Sequence, residues 1–280
     1  MFPQPGRHRR RAASSRRAGS MVLLAVVAAL VGVASPAQAA APRLDPHDPN
    51  GAWSGYSAGR SATGERVSGQ VPAGALAGLD VSGHQGQIDW SRAYADGARF
   101  AYVKATEGTG FRSSSYASQY HGAAAAGMVR GAYHFALPDR SPGGAQANFF
   151  VDNGGAWAPG TGTLPGVLDI EHNPYGETCY GLDPVGMSHW IADFSSTYQA
   201  RTGRFPMIYT TASWWNQCTG GNPDFAVNNP LWIARYAPEI GPLPAGWSYQ
   251  SIWQHSDAGP LPGGQDAFNG DMAQLNGLAG

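Results

Sequence analysis

Short apolar runs alternating with helical stretches organise the chain from residue 77 onward. Segments 77–81, 100–105, 129–135, 166–171 and 206–210 read as buried strands. Segments 90–96, 115–126, 144–152 and 184–201 carry helical spacing between them. The last of these helices has Asp183 as its N-cap and Pro184 at its first helical position. Alternation of β and α at this spacing predicts a parallel sheet with helices packed outside it. The pattern then breaks. Segments 231–235 and 250–255 and a strand near 265–267 follow one another, and Pro238, Gly241, Pro242, Pro244 and Gly246 exclude a helix between the first two. A C-terminal helix is expected over 268–278. The sum is an α/β chain, a TIM-like irregular β/α barrel with about five βα units followed by about three strands lacking helices.

The first forty residues do not belong to this pattern. Arg7, Arg9, Arg10, Arg11, Arg16 and Arg17 precede an apolar run at 21–33, and Ala37-Gln38-Ala39 has the small-x-small form of a cleavage site. Residues 1–40 therefore read as a signal peptide, by the general or the twin-arginine route, with an apolar run too short to anchor the protein in a membrane. Residues 41–76, rich in Gly, Ala, Ser and Pro, read as a linker or N-terminal arm. Residues 77–280 suffice for one single-core domain.

Charge narrows the partners. Six of the 18 basic residues and none of the 19 acidic ones lie in the first forty positions, so the remainder carries a net charge of −7. That argues against nucleic-acid binding and against electrostatic attachment of the mature form to a membrane. Both cysteines, Cys179 and Cys218, fall after the leader. In an oxidising compartment one disulfide is the default.

The candidate chemistry is carboxylate chemistry. Asp169 and Glu171 lie two residues apart in the apolar segment Val167-Leu168-Asp169-Ile170-Glu171. Side chains at i and i+2 of a strand share a face. Two acids held there shift each other's proton affinity, which suits one to act as an acid while the other stays ionised. Asp80 ends the first strand and Asp266 lies in the last. Barrel closure makes those strands neighbours, so Asp80 and Asp266 should sit together across the mouth from the central pair. In α/β barrels chemistry gathers at the C-terminal strand ends. Tyr133, His134, Tyr209, Trp232, Tyr236 and Trp253 fall near the same rim, where aromatic faces can stack on sugar rings, and Gln254 and Gln85 are polar partners for hydroxyl or amide groups. Asp169, Glu171, His172 and His134 lack HxxxH or HExxH spacing, so no metal is expected. Phosphate-loop and dinucleotide signatures are absent, and no cofactor is called for.

Several motifs in order resemble those of the glycoside hydrolase family 25 muramidases, the Chalaropsis-type lysozymes, and most closely their secreted actinobacterial members. They are Gly78-Leu79-Asp80-Val81-Ser82 with Gln85-Gly86 and Ile88-Asp89-Trp90; Tyr102-Val103-Lys104-Ala105-Thr106-Glu107-Gly108; Gly131-Ala132-Tyr133-His134-Phe135; Leu168-Asp169-Ile170-Glu171; Trp232-Ile233-Ala234; and Ile252-Trp253-Gln254. The resemblance spans 77 to about 275. It implies a secreted monomer that cleaves the β-1,4 bond between N-acetylmuramic acid and N-acetylglucosamine in peptidoglycan glycan strands. Glu171 would be the general acid, Asp169 the group that orients substrate or offsets charge, and Asp80 and Asp266 the remainder of the acidic cluster. Tyr133, Tyr209, Trp232, Tyr236 and Gln254 would bind substrate. A chitinase would carry a longer acidic series before Leu168, and a non-catalytic wall-binding module would be expected to have lost one of the four acids.

Overall fold

The computed structural model describes residues 44–58 and 71–280. The chain divides into two compact units, Met1–Gln38 and Ala39–Gly280, and all described residues lie in the second. The expected leader lies outside the described residues.

Nine strands and six α-helices make up the described part: β1 (Leu76–Val81), α1 (Trp90–Ala95), β2 (Phe100–Glu107), β3 (Phe111–Arg112), α2 (Tyr116–Ala125), β4 (Val129–Phe135), α3 (Gly143–Phe150), β5 (Val167–Asp169), α4 (Pro184–Thr202), β6 (Met207–Thr210), α5 (Ala212–Thr219), β7 (Leu231–Ala234), β8 (Ile252–Ser256), β9 (Gly264–Phe268) and α6 (Met272–Ala279). Strands β1, β2, β4, β5, β6, β7 and β8 run parallel to their like neighbours. Strand β9 pairs antiparallel with both β8 and β1 and so closes the barrel. Five βα units followed by β7, β8 and β9 without intervening α-helices match the architecture read from the sequence.

Every position of β2, β5, β6, β7, β8 and β9 is buried. Helices cover a parallel barrel from outside while side chains fill it from inside, so neither face of these strands meets water. Phe100, Tyr102, Tyr133, Val167, Tyr209, Trp232, Ile252 and Phe268 form one buried cluster. Phe135, Leu168 and Ile208 pack with Phe150, Ile191 and Phe194 of α3 and α4 in another. The alternation within each strand thus sorts residues into two layers, and it turns Asp80, Gln254 and Asp266 to the side opposite Leu79 and Trp253. Helix α4 starts as expected, with the Asp183 carboxylate accepting from the amide of Gly186 at 2.7 Å and Pro184 in its first turn. It ends at Gly203, whose φ of 78° is the left-handed conformation that suits glycine.

Four local readings differ. Strand β3, a two-residue antiparallel partner of β2, was not expected. Helix α5 was not expected. Thr211 caps it by accepting from the amide of Trp214 at 3.2 Å, and it buries Trp214, Trp215 and Cys218. The C-terminal helix begins at Met272 rather than 268, because Phe268 still pairs with Leu76 and Ile252, and Asp271 supplies the cap. Strand β5 stops at Asp169, although the amide of Ile170 still donates to the carbonyl of Tyr209 at 3.0 Å. The expected disulfide is present. Cys179, in the loop after β5, is bonded to Cys218 of α5 with Cα atoms 5.3 Å apart. Among the described residues no helix is long and apolar enough to cross a membrane.

Candidate active site

The barrel's strand order brings all four predicted carboxylates together. Asp80 is on β1, Asp169 ends β5, Glu171 follows two residues later, and Asp266 is on β9, opposite Gly78 of β1 and Gln254 of β8. All four are buried, with Asp169 and Glu171 completely inaccessible. Gln254 ties the group together. Its amide nitrogen donates to Asp80 Oδ1 at 2.6 Å, and its carbonyl oxygen accepts from Tyr209 Oη at 2.6 Å and from Tyr236 Oη at 3.0 Å. Trp232 Nε1 donates to Asp266 Oδ1 at 3.0 Å.

Burial sets the proton affinities. It raises Asp80 to about 7, with the Gln254 bond and a hydrogen bond from Asp266 holding it back. Burial and then the charge of Asp80 drive Asp266 well above the usual carboxylate range. Burial therefore favours a proton shared within the Asp80–Asp266 pair. Burial and the charge of Glu171 raise Asp169 strongly. Glu171 is also raised by burial, but hydrogen bonds to its charged form from Ser57 and Gly55 oppose the rise.

Those two residues belong to 41–76, the span read as a linker or loosely packed arm. Its described part, 44–58, packs closely: Ala52, Ser54 and Tyr56 are buried. The amide of Gly55 donates to Glu171 Oε1 at 2.8 Å, and the amide and hydroxyl of Ser57 donate to Oε2 at 3.0 and 2.5 Å. Ser54 Oγ donates to Asp169 Oδ2 at 2.9 Å. Two aromatics in a run of small residues, Trp53 and Tyr56, were the available sign that this stretch docks. Their rings meet edge to face at 5.3 Å, and Trp53 also contacts His84 at 4.5 Å.

The remaining expected residues separate. Tyr133, Tyr209 and Tyr236 carry hydroxyls next to the acids, Tyr133 beside Ser54. Trp232 lies deeper, with its ring stacked on Tyr102 at 4.9 Å and edge-on to Tyr209 at 4.9 Å, so it holds Asp266 rather than facing the mouth. His134 alternates away from Tyr133 toward the helices. It sits between Thr106 Oγ1 at 2.8 Å and Gln146 Oε1 at 2.9 Å and against Phe150 and Phe194. Burial lowers its pKa to about 4, which keeps the ring neutral. Trp253 packs with Leu231 and Ile233, and Gln85 closes a capping box with Ser82. Among the described residues no group of three His, Cys, Asp or Glu side chains is placed to hold a metal ion.

One ion pair was missed. Lys104, the only lysine of the chain, is buried, and its ammonium is 2.6 Å from Glu107 Oε2. It also donates to the carbonyls of Asn50, at 3.1 Å, and Ala52. A lysine inside an otherwise apolar strand, three residues before a glutamate, was the legible signal. An open groove of about 700 Å³ lies between α4 and the segment that follows α5, lined by Pro184, His189 and Asn222, on the helical side of the barrel.

A closed α/β barrel with acid pairs buried at its strand ends is the framework of a glycoside hydrolase. The family model for glycosyl hydrolases family 25 matches residues 79–264. Lysozyme M1 of Streptomyces globisporus is 46% identical over 220 residues, 77% of this chain and 75% of that protein. The N,O-diacetylmuramidase of Chalaropsis is 46% identical over 206 residues, 72% of this chain and 98% of that one. Among solved structures, a muramidase from Acremonium alcalophilum superposes with a TM-score of 0.72 at 53% identity, covering 73% of this chain and 98% of that one. The protein belongs to glycosyl hydrolase family 25 and is a glycoside hydrolase.

Proposed function

We propose that the protein is a secreted N-acetylmuramidase that hydrolyses the β-1,4 bond between N-acetylmuramic acid and N-acetylglucosamine in peptidoglycan, with Glu171 as the general acid. The observation that carries this reading is the convergence of Asp80, Asp169, Glu171 and Asp266 on one barrel mouth in a chain that is 46% identical to a lysozyme and to an N,O-diacetylmuramidase. Glu171 donates its proton to the leaving glycosidic oxygen. Asp169 and Glu171 reach the mouth from one strand end, an arrangement that does not by itself place a carboxylate on each side of the sugar ring. The 2-acetamido oxygen of the muramic acid then attacks its own anomeric carbon, and the C1–oxygen bond breaks. Once Glu171 carries the proton and residues 54–57 have left, the burial and the Glu171 charge that raise Asp169 are relieved, and Asp169, ionised, orients the amide and offsets the developing positive charge. Glu171, now ionised, takes a proton from the water that opens the cyclic intermediate, and the product keeps its β configuration.

The other groups position. Asp266 is held by Trp232, and Gln254 links Asp80 to the hydroxyls of Tyr209 and Tyr236. Tyr133, Tyr209, Tyr236 and Gln254 bind the amino sugars. All four acids come from one chain, so a monomer suffices. The Cys179–Cys218 bridge fits an oxidising, extracellular compartment.

The test is mass spectrometry of fragments released from purified peptidoglycan. It is run on chain cut between residues 58 and 71, so that 44–58 is free to leave the acids. N-acetylmuramic acid at the new reducing ends supports the reading. N-acetylglucosamine there overturns it in favour of a glucosaminidase.

A further inference from the structure

The groups proposed to act on the glycan are not open to it. Glu171 has no accessible surface, and both of its oxygens accept hydrogen bonds from Gly55 and Ser57. Asp169 is likewise inaccessible and accepts from Ser54. A general acid must place its proton within hydrogen-bond reach of the glycosidic oxygen. No sugar can do so while residues 54–57 are seated.

The seating is fitted along its length. The carbonyl of Ser54 accepts from Gln254 Nε2 at 3.3 Å. The amide of Ala52 donates to Glu107 Oε2 at 2.9 Å, Lys104 donates to the carbonyls of Asn50 and Ala52, and the carbonyl of Gly51 is bonded to His84 Nε2 at 2.9 Å. Gly51 and Gly55 have φ of +60° and +86°, where side chains with a Cβ are strained. A Cβ at Gly55 would run into the hydroxyl of Tyr236 and, at 2.5 Å, into Gln254 Oε1. A Cβ at Gly51 would run into Glu107 Oε2. The segment therefore uses the same hydroxyls, amide and carboxylates that the proposed reaction assigns to substrate.

We propose that residues 50–57 are an internal inhibitor that occupies the glycan site, so that the chain is latent until it is cut between this segment and β1. The inference rests on the muramidase reading, because it takes the covered acids to be the catalytic ones. Donors on both Glu171 oxygens also leave neither of them free to present a proton to a glycosidic oxygen. The tether makes the inhibitor effective. A short covalent connection holds a segment at a local concentration in the millimolar range, whereas after a cut the released peptide is only as concentrated as the enzyme. At micromolar enzyme or below, its competition with substrate falls by about a thousandfold.

The test uses the full chain, produced with its own N-terminal segment and carrying a site-specific protease sequence inserted between residues 58 and 71. Release of reducing ends from purified peptidoglycan is measured before and after cutting. Uncut Gly55→Val is measured beside it, because its Cβ cannot share the space held by Tyr236 and Gln254, and a gain of activity cannot come from misfolding. The expected result is a rate near background for the uncut chain and a rise of at least about tenfold both on cutting and in uncut Gly55→Val. Equal rates for uncut and cut chain would overturn the latency and leave the muramidase reading intact. Silence of the uncut chain, the cut chain and Gly55→Val alike would overturn the muramidase reading, and the latency with it.

Discussion

Replacing Lys104 with methionine should cost the protein about 3–5 kcal/mol, because it removes one half of a buried ion pair. Lys104 has no accessible surface and Glu107 is 5% exposed, so water cannot compensate either charge. After the change, Glu107 keeps the amide of Ala52 at 2.9 Å and the hydroxyl of Tyr175 at 2.6 Å, but no cation. The carbonyls of Asn50 and Ala52 lose their donor as well. Methionine fills most of the volume of the lysine stem, so the loss is electrostatic rather than a cavity. The two retained hydrogen bonds place the expectation near the lower end, about 3 kcal/mol, or a melting temperature lower by about 6–12 °C in a domain of this size. Adding Glu107→Gln should recover about 1–3 kcal/mol of that, since the amide no longer needs a cation. Urea unfolding of the wild type, both single variants and the double variant gives the coupling directly. A Lys104→Met variant within about 0.5 kcal/mol of wild type, or a double variant whose loss equals the sum of the singles, would refute the reasoning.

Two further expectations concern stability. Replacing Cys179 and Cys218 together with alanine opens a loop closed by residues 39 apart, which should cost about 4 kcal/mol by loss of chain constraint; an unchanged urea midpoint would show that the bridge constrains little. Acid should act on His134 in a defined window. Its folded-state pKa is about 4 against an ordinary value of 6.5, so between those values the unfolded chain binds the extra proton and stability falls with pH, by about 3 kcal/mol in all. Asp80 runs the other way. Raised to about 7, it takes up its proton in the folded chain first, so acidification from 7 toward 4 favours folding through that group. Comparing wild type with His134→Asn isolates the histidine, and unfolding free energies whose pH slopes coincide from 6.5 to 4 would contradict this assignment.

Much of the barrel was legible because most of its strands are short, buried on both faces and bounded by glycine or proline. Asp80 and Asp266 lie 186 positions apart in the sequence, and only barrel closure predicts their pairing; β9, antiparallel to β1, supplies it. What escaped did so for physical reasons. Helix α5 is brief and is separated from β6 by the single residue Thr211, so its caps and its two tryptophans read as a strand-to-loop transition. Trp232 has the composition of a sugar platform, yet alternation along β7 turns it inward onto Tyr102. His134 follows Tyr133 and must face the opposite layer for the same reason. Residues 50–57 lack any periodicity, since a segment held by its amides and carbonyls shows little in its side chains. Only Trp53 and Tyr56 hinted at docking.

The central claim is that Glu171 is the acid of a peptidoglycan hydrolase, and the rate of reducing-end release by Glu171→Gln tests it most directly. Wild type and variant are both cut between residues 58 and 71 and compared on the same purified peptidoglycan, with matching circular dichroism and melting profiles as the check on folding. Glutamine has the shape of the acid and no proton to give. The account predicts a loss of about 10²–10⁴-fold or more at unchanged fold. A variant that releases reducing ends within about tenfold of the wild-type rate would contradict it and move the acid's role to another of the four carboxylates.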